Sequence, residues 1–150
     1  MKTIKSHFYL LLSLILLKGS LLFGQDTWLS KTSLTGESRQ GAIAFSINGK
    51  GYLGLGYNGS YKKDLWEYDP TTETWTQKAD IPGSGRSEAV IIPLGNDALV
   101  ATGYNGNFLK DVWSWSSTTN TWSQKNDFNG SQRQGAVGFT LAGNGYMGLG

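Results

Sequence analysis

The sequence predicts an all-β fold assembled from repeats, and three observations carry that prediction. First, residues recur at a fixed step of 47: Arg39, Arg86 and Arg133; Trp28, Trp75 and Trp122; Lys31, Lys78 and Lys125; Gly36, Gly83 and Gly130; Gly56, Gly103 and Gly150. Second, large apolar residues alternate with small or polar ones inside each unit, the period-2 signature of a strand. Third, 21 Gly, 3 Pro, 13% aromatic and 16% charged residues in a chain of 150 suit short strands and tight turns rather than long helices. A period of about 40 to 50 residues made of short strands is that of a β-propeller blade.

The elements follow in order. Residues 1–24 have the three-part layout of a secretory signal peptide: Lys2 and Lys5, the apolar run Phe8 to Leu17, then the break Lys18-Gly19-Ser20 and a small residue at Gly24. That run is too short to span a bilayer, which takes about 20 apolar residues. Cleavage after Gly24 or Gln25 is expected, giving a mature segment 25–150 that is secreted, extracellular or in the cell envelope, with no stable membrane insertion. Without cysteine there is no disulfide framework and no lipid anchoring through an N-terminal Cys in this stretch. Thr27 to Lys31 reads as a lone strand of the fourth kind in a blade.

The first repeat, 39–80, then divides into four strands. Gly41 to Ile47 places Ile43, Phe45 and Ile47 on one side and Ala42, Ala44 and Ser46 on the other; the small side suits a strand crowded near an axis. Asn48-Gly49 makes a hairpin turn. Gly51 to Gly56 is the second strand, and Asn58-Gly59 opens the next connection. Asp64 to Tyr68 is the third, closed by the turn Asp69-Pro70-Thr71-Thr72. Thr74 to Lys78 is the fourth. The second repeat, 86–127, keeps the pattern, and a third, 133–150, has only its first two strands, about two and a half blades in all.

These residues resemble the kelch-repeat family, a group of β-propellers that includes galactose-oxidase-like members. The resemblance rests on Gly56 before Tyr57-Asn58-Gly59, on Trp66-Glu67-Tyr68-Asp69-Pro70, on Thr74-Trp75 and on Arg86, and again on Gly103, Tyr104-Asn105-Gly106, Trp113-Ser114-Trp115 and Thr121-Trp122. It implies an incomplete kelch-type propeller, a fragment of a ring that an N-terminal strand often closes. The family's Gly-Gly doublet departs here to Leu55-Gly56, Thr102-Gly103 and Leu149-Gly150.

Charge and residue chemistry narrow the function. Removing Lys2, Lys5 and Lys18 with the leader leaves 10 Lys and Arg against 11 Asp and Glu, a net charge of −1, and no basic patch for nucleic acid. His7 lies in the leader, so residues 25–150 hold neither His nor Cys. That excludes, for this segment, His-based nucleophilic triads, His zinc sites and a galactose-oxidase-type copper site; no cofactor and no metal are expected. The G-x-G-x-x-G of Gly54 to Gly59 would need a helix after it to hold a pyrophosphate, but a turn and a strand follow. Asn58-Gly59-Ser60 and Asn129-Gly130-Ser131 fit a glycosylation acceptor, although turns explain both. Asp64 and Asp111 recur with the repeat and are expected in capping or turn roles. The Trp ladder is expected to pack between blades.

A ligand-binding rim is expected where the connections 57–63 and 104–110 meet 80–86 and 127–133. It would gather Tyr57, Asn58, Tyr61, Tyr104, Asn105 and Phe108 with Arg39, Arg86 and Arg133. Arg forks beside flat aromatic surface could hold an acidic sugar or acidic peptide; alternatively, each Arg ties loop carbonyls of the neighbouring blade. The expected function is a binding module for a glycan, a peptide or a protein surface. The resemblance also implies two other readings: a kelch mutarotase-type enzyme acting on a sialic-acid-like sugar, and a purely structural domain of a larger surface protein.

Overall fold

A computed structural model describes residues 28–34 and 38–150 of the chain. The leader 1–24, Thr27 and Gly36 lie outside the described residues. Trp28 to Ser30 fall in a unit separate from Lys31–Gly150.

Ten strands are described, each five residues long: β1 (Ile43–Ile47), β2 (Lys50–Gly54), β3 (Leu65–Asp69), β4 (Thr74–Lys78), β5 (Val90–Leu94), β6 (Asp97–Ala101), β7 (Val112–Ser116), β8 (Thr121–Lys125), β9 (Val137–Leu141) and β10 (Asn144–Gly148). They form two antiparallel sheets in sequence order, β1-β2-β3-β4 and β5-β6-β7-β8, and a hairpin of β9 with β10. Register repeats with the sequence: Tyr68 faces Trp75 across β3 and β4, and Trp115 faces Trp122 across β7 and β8.

The first strand starts at Ile43 rather than Gly41, and the third runs one residue later than expected. The second strand ends at Gly54 rather than Gly56, because Leu55 (φ 56°) and Gly56 (φ 96°) both turn left-handed and break the ladder. Thr102 and Gly103, then Leu149 and Gly150, do the same at φ 59° and 106° and at φ 63° and 91°. The doublet that departs from Gly-Gly in sequence thus keeps a Gly-Gly backbone. A β-branched Thr in that region is a steric outlier.

The sheets pack face to face. Ile47, Tyr52 and Leu65 of the first sheet form one buried cluster with Ala98 and Trp115 of the second, joined by Phe45, Ile91 and Trp122. Trp115 is fully buried, with ring centres 5.1 Å from Tyr52 and 6.3 Å from Phe45. Tyr52 also donates to Glu67, and burial together with that bond pushes its phenol well above its ordinary value. On the far side Val90 and Ile92 fill the space left by Gly138: a Cβ there would come within 2.7 Å of Val90 Cγ2 and 2.8 Å of Ile92 Cγ1. The small side of each first strand is therefore a seat for the large side of the preceding repeat. Ala42, Ala44 and Ser46 are exposed because no sheet among the described residues covers that face.

The expected strand at 27–31 is not formed over its described part, Trp28 to Lys31. A fourth-type strand needs a third-type partner, and β3 and β7 are already paired with β4 and β8. Trp28 is fully exposed, so the packed Trp series is Trp75 and Trp122. Each of these closes the seam to the preceding repeat: Trp75 Nε1 donates to Thr32 O (2.9 Å) and Trp122 Nε1 to Ala79 O (2.8 Å), 43 residues apart in both cases. Val137, Phe139 and Leu141 stand exposed, although their equivalents Ile43, Phe45 and Ile47 are covered by the next sheet.

Candidate functional site: the aromatic rim

Of the three Arg expected on the rim, Arg86 is turned inward, and the side chain of each bonds the carbonyl that follows the second strand of its own repeat. Arg86 is fully buried. Its Nη1 and Nη2 donate to Asp111 Oδ1 and Oδ2 at 2.6 and 2.7 Å, Nη1 also to Thr102 O at 3.1 Å, and Nε to Ser84 O at 3.1 Å. Arg39 donates through Nη1 to Asp64 Oδ1 at 2.6 Å and to Leu55 O at 3.1 Å. Arg133 donates to Leu149 O and Ser131 O, with its guanidinium 5.0 Å from the Phe128 ring centre. The expectation that these forks receive an acidic ligand is not met at Arg86: all of its donor nitrogens are occupied inside the fold. The cause is the left-handed doublet, which aims the Leu55, Thr102 and Leu149 carbonyls at the Arg of the same repeat.

Asp64 and Asp111 are the counter-ions of this arrangement, not turn caps. Each accepts from Arg and also from the indole two residues on, Trp66 Nε1 at 2.9 Å and Trp113 Nε1 at 2.7 Å. Burial alone would push both carboxyls up; the Arg and Trp hydrogen bonds outweigh it and hold them below their ordinary value. The Arg-Asp-Trp unit is scaffold, present in both complete repeats.

The structure does bring the expected rim aromatics together. The loops after β2 and β6 fold back on themselves, with Tyr57 bridged to Tyr61 and Tyr104 to Phe108. Loop 80–86 runs beside the first of these: Ile81 N donates to Lys63 O and Arg86 N to Lys62 O. The result is one row of rings across two repeats: Tyr57 to Tyr61 at 4.8 Å, Tyr61 to Tyr104 at 6.0 Å, Tyr104 to Phe108 at 5.4 Å. All four line a single open cleft of about 520 Å³, together with Gln40, Ser87, Glu88 and Gln134. Burial, reinforced by Tyr104 and Tyr57, raises the Tyr61 phenol above its ordinary value, so it stays neutral and able to donate. Asn58 lines a neighbouring cleft of about 430 Å³ with Ser38, Arg39, Gln40, Tyr57 and Gly59. Asn105 is instead used by its own loop, accepting from Asn107 N at 3.1 Å.

Sequence reasoning missed the polar floor of this cleft. It comes from the positions just after each Arg: Gln40, Ser87 and Gln134, then Gly41, Glu88 and Gly135. These last three form a chain of backbone bonds, Glu88 N to Gly41 O at 2.8 Å and Gly135 N to Glu88 O at 2.9 Å. All three are left-handed, at φ 61°, 52° and 65°. The readable signal was a register that is Gly, Glu, Gly.

Among the described residues no group of three His, Cys, Asp or Glu is placed to hold a metal ion. Gly54 to Gly59 is followed by β3 and not by a helix, so it offers no helix N-terminus to a phosphate. No helix among the described residues is long and apolar enough to cross a membrane.

Comparison with known proteins agrees with this architecture. A kelch motif matches residues 85–129, the second repeat. The solved structure of YjhT superposes with a TM-score of 0.66 at 23% sequence identity, over 79% of this chain and 35% of YjhT. The chain thus spans about a third of the length of that relative, and at this identity the likeness is one of fold. No curated protein sequence matches the chain. The kelch motif at residues 85–129, the consecutive four-stranded sheets and the shared fold are those of an incomplete kelch-type β-propeller, two four-stranded blades followed by a hairpin.

Proposed function

We propose that this chain belongs to an exported binding protein whose rim cleft receives part of a glycan, a peptide or a protein surface without covalent chemistry. One observation carries the reading: four aromatic rings from two successive repeats line one open cleft, whereas Arg86 behind them is consumed by the fold. Aromatic side chains supply flat contact area at little entropic cost, and Tyr adds a hydrogen-bonding tip. Gln40, Ser87 and Gln134 supply the few polar groups that orient a ligand in such a pocket. Loops held by a repeated scaffold are where binding residues concentrate.

The test screens the full-length protein against immobilised glycans and peptides, then repeats the screen with Tyr57→Ala and Tyr104→Ala. Weakened binding at unchanged melting temperature supports the reading. A ligand whose binding neither variant weakens contradicts it. Export is checked by intact mass of the protein from the culture medium, with an N-terminus expected at Gln25 or Asp26; finding only the Met1 form inside the cell contradicts it.

A further inference from the structure

Among the described residues, Glu88 is the one charged side chain lining the rim cleft. It is also the one that breaks the repeat. Its equivalents Gly41 and Gly135 are left-handed glycines, and Glu88 takes the same conformation at φ 52°, which an L residue adopts only at a cost. Strain of this kind persists where the surroundings hold it, and it gathers at ligand sites. Nothing in the scaffold asks for a carboxylate here, since Gly serves the same backbone bonds on both sides. Asp64, Glu67, Asp69, Glu73, Asp111 and Asp127 form ion pairs; among the described residues Asp80, Glu88 and Asp97 form none, and of these three Glu88 lines the rim cleft. Its side chain lies between the two glycines: a Cβ at Gly41 would come within 3.1 Å of Glu88 Cγ, and one at Gly135 within 3.8 Å of Glu88 Oε2. A side chain at Gly41 would press on Glu88 Cγ, whereas one at Gly135 would meet the carboxylate only in ordinary contact.

We propose that the rim cleft recognises an alkylammonium group, held by the Glu88 carboxylate beside the aromatic row of Tyr57, Tyr61 and Tyr104. This rests on the binding-module reading and gives it a charge sign. A carboxylate supplies the counter-charge. Aromatic rings attract cations through their quadrupole, most strongly where water is partly excluded. A free carboxylate without a cation beside it repels an acidic ligand, so the acidic sugar or peptide expected from the Arg series is replaced by a cationic group.

Titration calorimetry on the full-length protein tests this with three probes: choline, its neutral carbon isostere 3,3-dimethylbutanol, and the capped tripeptide Gly-Lys-Gly. Choline is expected to bind about tenfold more tightly than its isostere. E88Q should weaken choline and the tripeptide about three- to thirty-fold and leave the isostere unchanged. E88G should lose the same affinity while its melting temperature holds or rises, because the strain is relieved; a scaffold role would lower it. A preference for the tripeptide or for choline identifies a lysine side chain or a small quaternary ammonium as the source, and either keeps the proposal. Unchanged choline binding in E88Q, or no discrimination between choline and its isostere, overturns it. If Tyr104→Ala then still weakens ligands regardless of their charge, the rim reading stands and only the charge assignment falls. If Tyr104→Ala weakens none, both fall.

Discussion

Replacing Asp111 by Ala strands a buried charge, and the repeat supplies its own control. Arg86 is fully buried, and the Asp111 side chain is 24% exposed. Two of the guanidinium's hydrogen bonds go to that carboxylate. Removing one partner of such a pair costs about 3 to 5 kcal/mol, because the remaining charge stays desolvated. Asp64→Ala removes a single bond from Arg39, which sits at the open face of its sheet with 10% of its side chain exposed. The loss there should be smaller, about 1 to 3 kcal/mol, the worth of one hydrogen bond to a charged group. Urea denaturation of the full-length protein followed by Trp fluorescence reads both. The double change Arg86→Met with Asp111→Leu should recover most of the stability, since apolar replacement of a whole buried pair is often neutral. A loss below about 1 kcal/mol for Asp111→Ala, or a larger loss for Asp64→Ala, would refute the reasoning.

Three further outcomes follow from the same contacts. Thr102 is fully buried and left-handed at φ 59°, and its hydroxyl has no hydrogen-bond partner. Thr102→Gly should therefore raise stability by about 1 kcal/mol in a denaturant titration, the relieved strain and unpaired hydroxyl outweighing the lost methyl and the added chain entropy; a clear loss contradicts this. The folded-state pKa values of Asp64, Asp111 and Glu67 are depressed, so their contribution is present above the unfolded carboxylate range and lost as pH falls through the folded values. Stability should accordingly be flat near neutrality and decline below about pH 5, with a shallower decline in Asp111→Asn; an equal slope in that variant would remove Asp111 from the account. Residues 28–150 prepared alone should self-associate through the exposed Val137, Phe139 and Leu141 and the unpaired edge of β10, and Phe139→Ser should reduce that association in sedimentation measurements.

The repeat, the four-strand division and the rim aromatics were legible in the sequence because each follows from local patterning: period 2, turn residues and a fixed step of 47. Pairings across the fold were less so. Arg39 and Asp64 are 25 residues apart, as are Arg86 and Asp111, and that shared spacing pointed to a bond which a turn role concealed. That the Arg tie carbonyls was legible as an alternative, but which carbonyls they reach was not. That choice depends on left-handed backbone at Leu55, Thr102 and Leu149, and side-chain type alone argues against that conformation. The strand expected at 27–31 had the right residues, but a strand needs a ladder, and its partner is not written in its own sequence. Glu88 reads in the sequence only as one of several scattered carboxylates, since it does not recur with the step of 47.

The central claim is that the Arg-Asp pairs hold the fold while the aromatic rings that line the rim cleft hold the ligand. It is tested most directly by measuring melting temperature and ligand affinity together in Arg86→Ala and Tyr104→Ala of the full-length protein. The account predicts a large fall in melting temperature for Arg86→Ala, and lost affinity at nearly unchanged melting temperature for Tyr104→Ala. The opposite division, with Tyr104→Ala unfolding the protein and Arg86→Ala sparing the fold while abolishing binding, would contradict it.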